Sequence, residues 1–191
     1  MRQTPPRPLC GIDEAGRGPL AGSLVIAGVI LDAPIDGLDD SKRLTPKRRE
    51  ALYAVIEERA RHHRVVFDAA QIDALGISEC LRRGLREIQG YFGEEVEYLY
   101  DGNTTFGVSG LRTMVKADAQ IPEVAAASIL AKVTRDREMV AFSERYPAYG
   151  FDRHKGYGTR DHIDAILTHG RCPIHRRTFR VKAIDTPALP L

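Results

Sequence analysis

The order in which strand-like and helix-like segments follow one another limits the fold of this chain more than any other feature of its sequence. Two strand-like segments come first, Leu9 to Asp13 and Ser23 to Leu31, and the second is rich in β-branched residues. Between them, Gly16, Gly18 and Pro19 indicate a tight connection. Short strands then alternate with helices, an order typical of a mixed sheet covered by helices. We therefore predict an α/β fold.

Local signals predict the later elements. Thr45 is a favourable N-cap and Pro46 a favourable first helical residue, so a helix should begin there. Apolar residues at helical spacing predict an amphipathic helix from Ile77 to Phe92. The other predictions are strands over 64–69, 96–101 and 112–116, a helix from Pro122 to about Ser143, and a helix from Thr159 to Thr168.

The length of 191 residues corresponds to one domain. We place this domain at residues 9–183, between proline-containing tails at 1–8 and 184–191 that we expect to be flexible. The apolar stretch from Leu20 to Leu31 is shorter than the roughly 20 residues of a membrane span. The N-terminus lacks the apolar segment of a secretory signal, so we expect a cytoplasmic protein without membrane contact. We also expect the protein to be monomeric. Three widely spaced cysteines exclude a disulfide framework.

The positive charges are clustered, although the net charge is only +2. Residues 153–182 contain eight Lys or Arg against two acidic residues, and residues 41–50 contain five against one. Such clusters favour a polyanionic partner, for which Arg176 and Arg177 are candidate phosphate contacts. The alternative is a solvated basic face. The scattered histidines of the C-terminal region fit solvation or phosphate contact better than metal coordination.

Acidic residues stand where predicted strands end. These are Asp13 with Glu14, Asp101 and Asp118. If they converge, their like charges require a cation, and hard oxygen ligands suit Mg²⁺ or Mn²⁺. Two such ions could activate a water and stabilise the leaving oxygen of a phosphodiester. The alternative for each residue alone is a helix cap or a turn former.

Glu14 presents a geometric difficulty. Neighbouring residues on a regular strand point to opposite faces, so Asp13 and Glu14 reach one centre only if the strand ends between them. Gly16 makes such an ending plausible. If the strand stays regular, Glu14 contributes little, or only its carbonyl group.

Three loops carry candidate substrate contacts. The glycines of Gly16-Arg17-Gly18 allow close backbone approach to a ligand, although an ordinary turn has the same composition. The segment Asp40-Ser41-Lys42 offers a hydroxyl and an ammonium group to a phosphate, or it is simply the loop before a helix. Tyr157 lies between two glycines in the basic region, where it could stack on a sugar or base, or be buried.

The predicted helix from Pro122 has a polar face. Ser128, Lys132 and Asp136 recur at four-residue spacing along it, with Arg135 beside them. They could support a site or contact the substrate, whereas a surface ion pair between Lys132 and Asp136 also explains the last two.

Together these motifs resemble the ribonuclease HII family from about residue 9 to Phe179. They are Gly11-Ile-Asp-Glu-Ala-Gly-Arg-Gly18, Asp40-Ser-Lys42, Asp101-Gly102, Lys116-Ala-Asp118, Ala126-Ala-Ser-Ile-Leu-Ala-Lys-Val-Thr-Arg-Asp136 and Gly156-Tyr-Gly158. The resemblance implies a ribonuclease H-like fold, a mixed five-stranded sheet flanked by helices with a C-terminal helical extension. It further implies an endonuclease that hydrolyses the RNA strand of RNA–DNA hybrids and cuts 5′ to single ribonucleotides in duplex DNA, leaving 3′-hydroxyl and 5′-phosphate ends.

The resemblance also implies roles for individual residues. Asp13, Glu14, Asp101 and Asp118 match the family's catalytic metal ligands, which would hold Mn²⁺ or Mg²⁺, two ions when substrate is bound. The backbone of Gly16, Arg17 and Gly18 would read the ribose 2′-hydroxyl, and Tyr157 would stack on the ribose at the RNA-to-DNA junction. We place Lys42 and Ser128 among the substrate contacts as well. The family acts in ribonucleotide excision repair.

Three alternatives remain at this point. Ribonuclease HIII shares the catalytic pattern but carries an additional N-terminal domain, for which Asp13 comes too early. A resolvase-like or integrase-like nuclease would not be expected to combine Gly16-Arg17-Gly18 with Tyr157. A non-catalytic nucleic-acid-binding module would gain nothing from so many acidic residues. The C-terminal segment AIDTPALPL lacks the paired aromatic residues of a sliding-clamp docking peptide.

Overall fold

A five-stranded mixed sheet forms the centre of the molecule. The computed structural model describes residues 7–38, 41 and 43–185. The strands are β1 (Leu9–Ala15), β2 (Leu24–Ile30), β3 (Arg61–Phe67), β4 (Glu97–Asp101) and β5 (Leu111–Met114). Their order across the sheet is β3-β2-β1-β4-β5. β2 pairs antiparallel with both β1 and β3, whereas β4 pairs parallel with β1 and with β5. The predicted α/β fold with a mixed five-stranded sheet is confirmed.

Helices cover both faces of this sheet. They are α1 (Pro46–Arg59), α2 (Ala69–Leu75), α3 (Ile77–Phe92), α4 (Pro122–Arg145), α5 (Phe151–His154), α6 (Arg160–His169) and α7 (Lys182–Asp185). Short 3₁₀ turns lie at Ala117–Ala119 and Pro147–Tyr149.

Strand β2 shows why helices are needed on both sides. All seven of its residues are buried, and they alternate between two apolar clusters. Leu24 and Ile26 face a cluster that includes Leu81 and Leu85 of α3. Val25, Ala27 and Val29 face a cluster formed with α1 and α4. A strand in this position must be apolar on both faces, which accounts for the run of β-branched residues.

The first half of α4 lies directly against β1. Gly11 on β1 makes this approach possible, because a Cβ atom there would lie 2.3 Å from the backbone nitrogen of Val124. The close packing places the residues of the next turns of α4, Ser128 and Lys132, beside the end of β1.

The bounds of several predicted elements differ from the structure, and two of these differences lie in strands β1 and β3. β1 continues to Ala15, two residues beyond the predicted end. The strand expected over 64–69 instead ends at Phe67, and α2 follows it. Asp68 begins this helix with a capping box, in which its carboxylate accepts from the Gln71 backbone N–H at 2.8 Å and the Gln71 side chain accepts from the Asp68 N–H at 2.9 Å.

The C-terminal helices form a third apolar cluster against the second half of α4. Met139, Phe151 and Ile166 are buried in it. Asp185, within the segment predicted to be a flexible tail, belongs to α7 and pairs with Arg171 at 2.9 Å. In the part of the chain that the structure describes, no helix is long and apolar enough to cross a membrane.

Candidate active site

Three carboxylates meet at one edge of the sheet. One oxygen atom from each of Asp13, Asp101 and Asp118 lies within 4.8 Å of the others. β1 and β4 are parallel neighbours, so Asp13 near the end of one and Asp101 at the end of the other share this edge. The turn after β5 brings in Asp118, and the Ala117 N–H donates to Asp101 Oδ1 at 3.1 Å. The convergence predicted from the sequence is therefore present for these three residues.

The arrangement concentrates negative charge in a buried place. Asp13 and Asp118 are both buried. Burial, and then the charge of Glu14, raises the pKa of Asp13 well above its usual value, and a hydrogen bond from Ser128 opposes the shift. Oxygen donors this close together, with an ionised form that burial disfavours, suit a hard divalent cation that would neutralise them.

Glu14 lies apart from this group. Because β1 stays regular to Ala15, the Glu14 side chain leaves the strand on the side opposite Asp13. Its Oε2 accepts from the Tyr100 hydroxyl at 2.7 Å, and its Oε1 lies 3.7 Å from Arg17 Nη1. Burial raises the pKa of Glu14, while the Tyr100 hydrogen bond and the Arg17 charge lower it. The structure thus shows the regular-strand case, in which Glu14 is not one of the converging carboxylates.

A cleft of about 500 Å³ joins Asp13, Glu14 and Asp101 to the predicted substrate contacts. Its lining residues are Asp13, Glu14, Ala15, Gly16, Arg17, Gly18, Ser41, Asp101, Ser128, Lys132 and Tyr157. Lys42, the remaining substrate contact predicted from the sequence, lies outside the described residues.

The polar face of α4 is held by its neighbours in the cleft. The hydroxyl groups of Ser128 and Ser41 are 2.8 Å apart, so each fixes the other beside Asp13. Lys132 Nζ lies 2.5 Å from Asp136 Oδ1, which is the ion pair that the four-residue spacing allows.

Two buried arginines beneath the Gly16–Gly18 loop were not predicted from the sequence. Arg176 was expected to contact phosphate, but it is fully buried and donates to backbone carbonyl oxygens, including that of Gly16 at 2.6 Å. Arg135 was expected on the polar face of α4, but it is also buried and donates to the Ser23 carbonyl at 2.9 Å. The number of charges along the chain does not indicate which side chains are buried, so the roles of Arg135 and Arg176 can be recognised only in the tertiary structure.

Tyr157 is held by a buried histidine pair. Tyr157 is 48% exposed and lines the cleft. The Tyr157 carbonyl oxygen lies 2.9 Å from His162 Nδ1, and His162 Nε2 lies 3.0 Å from His175 Nε2. Both histidines are buried, so solvation and phosphate contact, which the sequence favours, are wrong for these two.

A sheet of this strand order, with carboxylates clustered at its edge beside a cleft lined by a glycine loop and an exposed tyrosine, defines a nuclease of the ribonuclease H-like class. The family model described as Ribonuclease HII matches residues 10–182. A protein named Ribonuclease HII from Sulfurovum sp. (strain NBC37-1) is 62% identical over 98% of this chain and 99% of that protein. The chain belongs to the ribonuclease HII family and is therefore a ribonuclease H, an endonuclease that acts on RNA–DNA hybrids.

Solved structures agree with this assignment. The Archaeoglobus fulgidus ribonuclease HII, determined in complex with PCNA, has a TM-score of 0.76 and 30% identity, covering 91% of this chain and 96% of that chain. Ribonuclease H2 from Pyrococcus horikoshii OT3 has a TM-score of 0.73 and 27% identity, covering 93% of this chain and 95% of that chain. The predicted family and fold are confirmed. Residues 186–191, most of the segment without a clamp-docking motif, lie outside the described residues.

Proposed function

We propose that the chain hydrolyses the RNA strand of RNA–DNA hybrids and also cuts duplex DNA on the 5′ side of a single embedded ribonucleotide. The observation that carries this proposal is one cleft lined by Asp13, Glu14, Asp101, the Gly16–Gly18 loop and Tyr157, with Asp118 directly beside the first and third of these carboxylates. Only the 2′-hydroxyl distinguishes a ribonucleotide from its neighbours in DNA, so recognition must lie close to the scissile bond. A cytoplasmic location, a monomeric state and a part in removing ribonucleotides from DNA belong to the same proposal.

The carboxylate group fits divalent metal ions. Asp13, Asp101 and Asp118 offer hard oxygen donors within 4.8 Å of one another, and this donor set suits Mg²⁺ or Mn²⁺. We propose that they hold the metal, two ions when substrate is bound. Although Glu14 leaves β1 on the side opposite Asp13, it lines the same cleft and its charge acts on Asp13, so we propose it as the fourth catalytic carboxylate. When bound, such ions supply positive charge that polarises the scissile phosphate and lowers the pKa of water.

The remaining residues bind and orient the nucleic acid. In the proposed reaction water attacks the phosphorus and releases a proton to solvent, the bond from phosphorus to O3′ breaks, and O3′ leaves with a proton from solvent. This leaves a 3′-hydroxyl and a 5′-phosphate. The backbone of Gly16, Arg17 and Gly18 binds the 2′-hydroxyl, and the exposed Tyr157 ring stacks on the ribose. Lys42 is proposed as a phosphate contact from its sequence position alone.

The test uses a labelled DNA duplex with one ribonucleotide, a long RNA–DNA hybrid and an all-DNA duplex. Each is incubated with the protein in Mg²⁺, in Mn²⁺ and in EDTA. We expect metal-dependent cutting on the 5′ side of the ribonucleotide, cutting of the hybrid and no cutting of DNA.

Two other outcomes would contradict the proposal. Cutting of the hybrid alone would remove the role given to Tyr157 and indicate a specificity like that of ribonuclease HIII. Binding of both ribose-containing duplexes without cutting, by the folded protein, would favour a binding module.

A further inference from the structure

Arg176 binds the backbone of the Gly16–Gly18 loop from below, and the proposed reaction has so far given it no role. Its Nη2 donates to the Gly16 carbonyl at 2.6 Å and its Nη1 to the Arg17 carbonyl at 3.3 Å. Its Nε donates to the Gly22 carbonyl at 3.0 Å, and Nη2 also to that of Ser23 at 2.9 Å. One buried guanidinium thus joins both ends of the loop that follows β1.

Arg135, the second buried arginine, also binds backbone carbonyl groups in this region. It donates to the carbonyl groups of Ser23 at 2.9 Å, Ala21 at 3.0 Å and Lys155 at 2.9 Å. Ser23 is therefore shared by the two guanidinium groups. Arg135 does not bind the carbonyl groups of residues 16 and 17, so within the described residues their support comes from Arg176.

The planar peptide bond allows the two bound carbonyl groups to determine the direction of the N–H groups that follow them. The described residues have no cis peptide bonds, and in a trans peptide the carbonyl and the following N–H point in opposite directions. Because Arg176 draws the Gly16 and Arg17 carbonyl groups towards the interior, the N–H groups of Arg17 and Gly18 point away from it. These residues line the cleft, so their N–H groups are directed to the place where the ribose is proposed to bind.

The conformation of the loop depends on glycine as well as on arginine. Gly16 has φ +96°, and a Cβ atom there would lie 2.3 Å from the Ser23 carbonyl oxygen. The loop therefore passes close to the carbonyl group that both guanidinium groups bind.

Arg176 is charged and buried, so hydrophobic packing alone does not explain its presence at this position. An apolar side chain of similar volume would fill the space without the desolvation cost of a charged group. Burial, and then the charge of Arg135, lowers the pKa of Arg176 to about 10, so the group stays charged at neutral pH. A charged donor also polarises each peptide that it binds, which strengthens the N–H of that peptide as a donor.

We propose that Arg176 is a positioning residue for the recognition of ribose, because it fixes the N–H groups of Arg17 and Gly18 towards the 2′-hydroxyl. The proposal rests on the proposed function, in which this loop reads that hydroxyl. It assigns selectivity between ribose and deoxyribose to a residue that cannot itself touch the substrate.

The experiment measures binding without cleavage. Affinities are determined in EDTA for two duplexes that differ only in one 2′-hydroxyl, with the wild-type protein and with Arg176→Lys. Lysine keeps the charge but cannot donate to four carbonyl groups at once. We expect the wild type to bind the ribonucleotide duplex more tightly and the variant to lose about five- to tenfold of that preference, as expected for one lost hydrogen bond. Affinity for the all-DNA duplex should remain within about twofold to threefold, because phosphate contacts that do not involve Arg176 supply most of it.

Leu85→Ala is the control, since Leu85 is buried in the apolar cluster beneath α3 and its loss destabilises the fold without removing a hydrogen bond to the loop. It should leave the preference unchanged. Should Arg176→Lys not fold, Arg176→Gln replaces it, because this variant removes the buried charge. A folded Arg176 variant with the full wild-type preference would overturn the inference alone. A wild-type protein that binds both duplexes equally would overturn the reading of the hydroxyl by the loop, and the inference with it.

Discussion

At the scale of single residues, the clustered carboxylates that can bind a metal ion also destabilise the folded protein when no cation is bound. Asp13 and Asp118 are buried beside Asp101, and burial raises the pKa of Asp13. A folded state that holds such groups without a cation has unfavourable electrostatics. Metal binding and stability should therefore respond in opposite ways to the loss of one carboxylate.

We expect Asp13→Asn and Asp101→Asn each to abolish cleavage while duplex affinity in EDTA stays within about threefold, because phosphate contacts supply most of that affinity. In EDTA the melting temperature of Asp13→Asn should equal or exceed that of the wild type, since a buried charge is removed. Addition of Mn²⁺ should stabilise the wild type and not the variant. Turnover by either variant would contradict the metal-site assignment.

Tyr157 offers a second test at this scale. Its half-exposed ring should contribute stacking on the ribose, so Tyr157→Ala should reduce cleavage at a single ribonucleotide by about tenfold or more. The loss on a uniform hybrid should be smaller, because such a substrate presents many ribose positions. Tyr157→Phe, which keeps the ring, should retain most activity on both substrates. Equal losses on the two substrates would indicate a structural tyrosine.

The sequence predicts some of these residues and not others for a physical reason. Asp13, Asp101 and Asp118 could be predicted because strand ends are visible in local patterns and parallel strands bring their ends together. Arg176 and His162 could not, because their roles depend on burial by segments far away in the chain. The geometric difficulty of Glu14 was visible in advance, since it follows from strand alternation alone.

At the scale of elements, two buried and neutral histidines, His162 and His175, connect Tyr157 to Cys172 through hydrogen bonds. We call this chain of hydrogen bonds the histidine relay. The Cys172 N–H donates to His175 Nδ1 at 2.9 Å, so the hydrogen of His175 lies on Nε2. His175 Nε2 then donates to His162 Nε2, and His162 Nδ1 donates to the Tyr157 carbonyl. A proton added to His162 Nε2 would point at the Nε2–H of His175. A proton added to His175 Nδ1 would point at the Cys172 N–H.

This relay predicts a loss of stability in acid. Burial is the largest cause that lowers the pKa of each histidine, His162 and His175, from 6.5 to about 4. Because the folded-state pKa is the lower one, the contribution to stability is complete above pH 6.5 and is lost as the pH falls towards 4. Unfolding by urea at several pH values should show this decline, in addition to that caused by carboxylates.

The double variant His162→Gln/His175→Gln isolates the contribution of the pair. Its stability should be lower at pH 7.5 and should change less between pH 6.5 and 4 than that of the wild type. His169→Gln removes an exposed histidine near the same cluster and should keep the wild-type slope. Identical slopes in all three proteins would contradict the assigned relay.

Predicted helices are confirmed where local sequence signals are sufficient to define them. The helix predicted from Ile77 to Phe92 is α3, and the predicted start at Thr45 and Pro46 is the start of α1. The sequence does not predict α2, because a β-branched run ends only two residues before it and Asp68, its N-cap, falls within the strand predicted over 64–69. Short elements contain too few residues for a period to be established.

At the scale of the whole molecule, positive charge continues from the active-site cleft into a neighbouring groove of about 620 Å³. Lys132 lines both cavities. The groove lies between α1, α4 and α5, and Arg153 and Lys155 stand along it. A duplex seated over the carboxylates would extend across this surface, so its phosphates should contribute to affinity there.

Replacement of both Arg153 and Lys155 by alanine should weaken binding of every duplex, with or without ribose. The slope of log K against log salt should fall by roughly 1–2, since each lost phosphate contact releases about one counterion fewer. Arg83 and Arg86 lie on α3 at the opposite face of the sheet, so the corresponding double alanine variant should not change the slope. An unchanged slope for the first variant would place the duplex elsewhere. Arg176 is buried and is therefore not included in this test.

The contact between Arg176 and the Gly16 carbonyl joins residues 160 positions apart. The three clustered aspartates, in contrast, have all been synthesised by residue 118. On the ribosome, the acidic cluster can therefore gather long before the loop beside it receives its guanidinium from the far end of the chain. Because Arg176 comes so late in the chain, premature termination after residue 145 would leave the three aspartates and α4 in the product but remove the guanidinium that binds the loop.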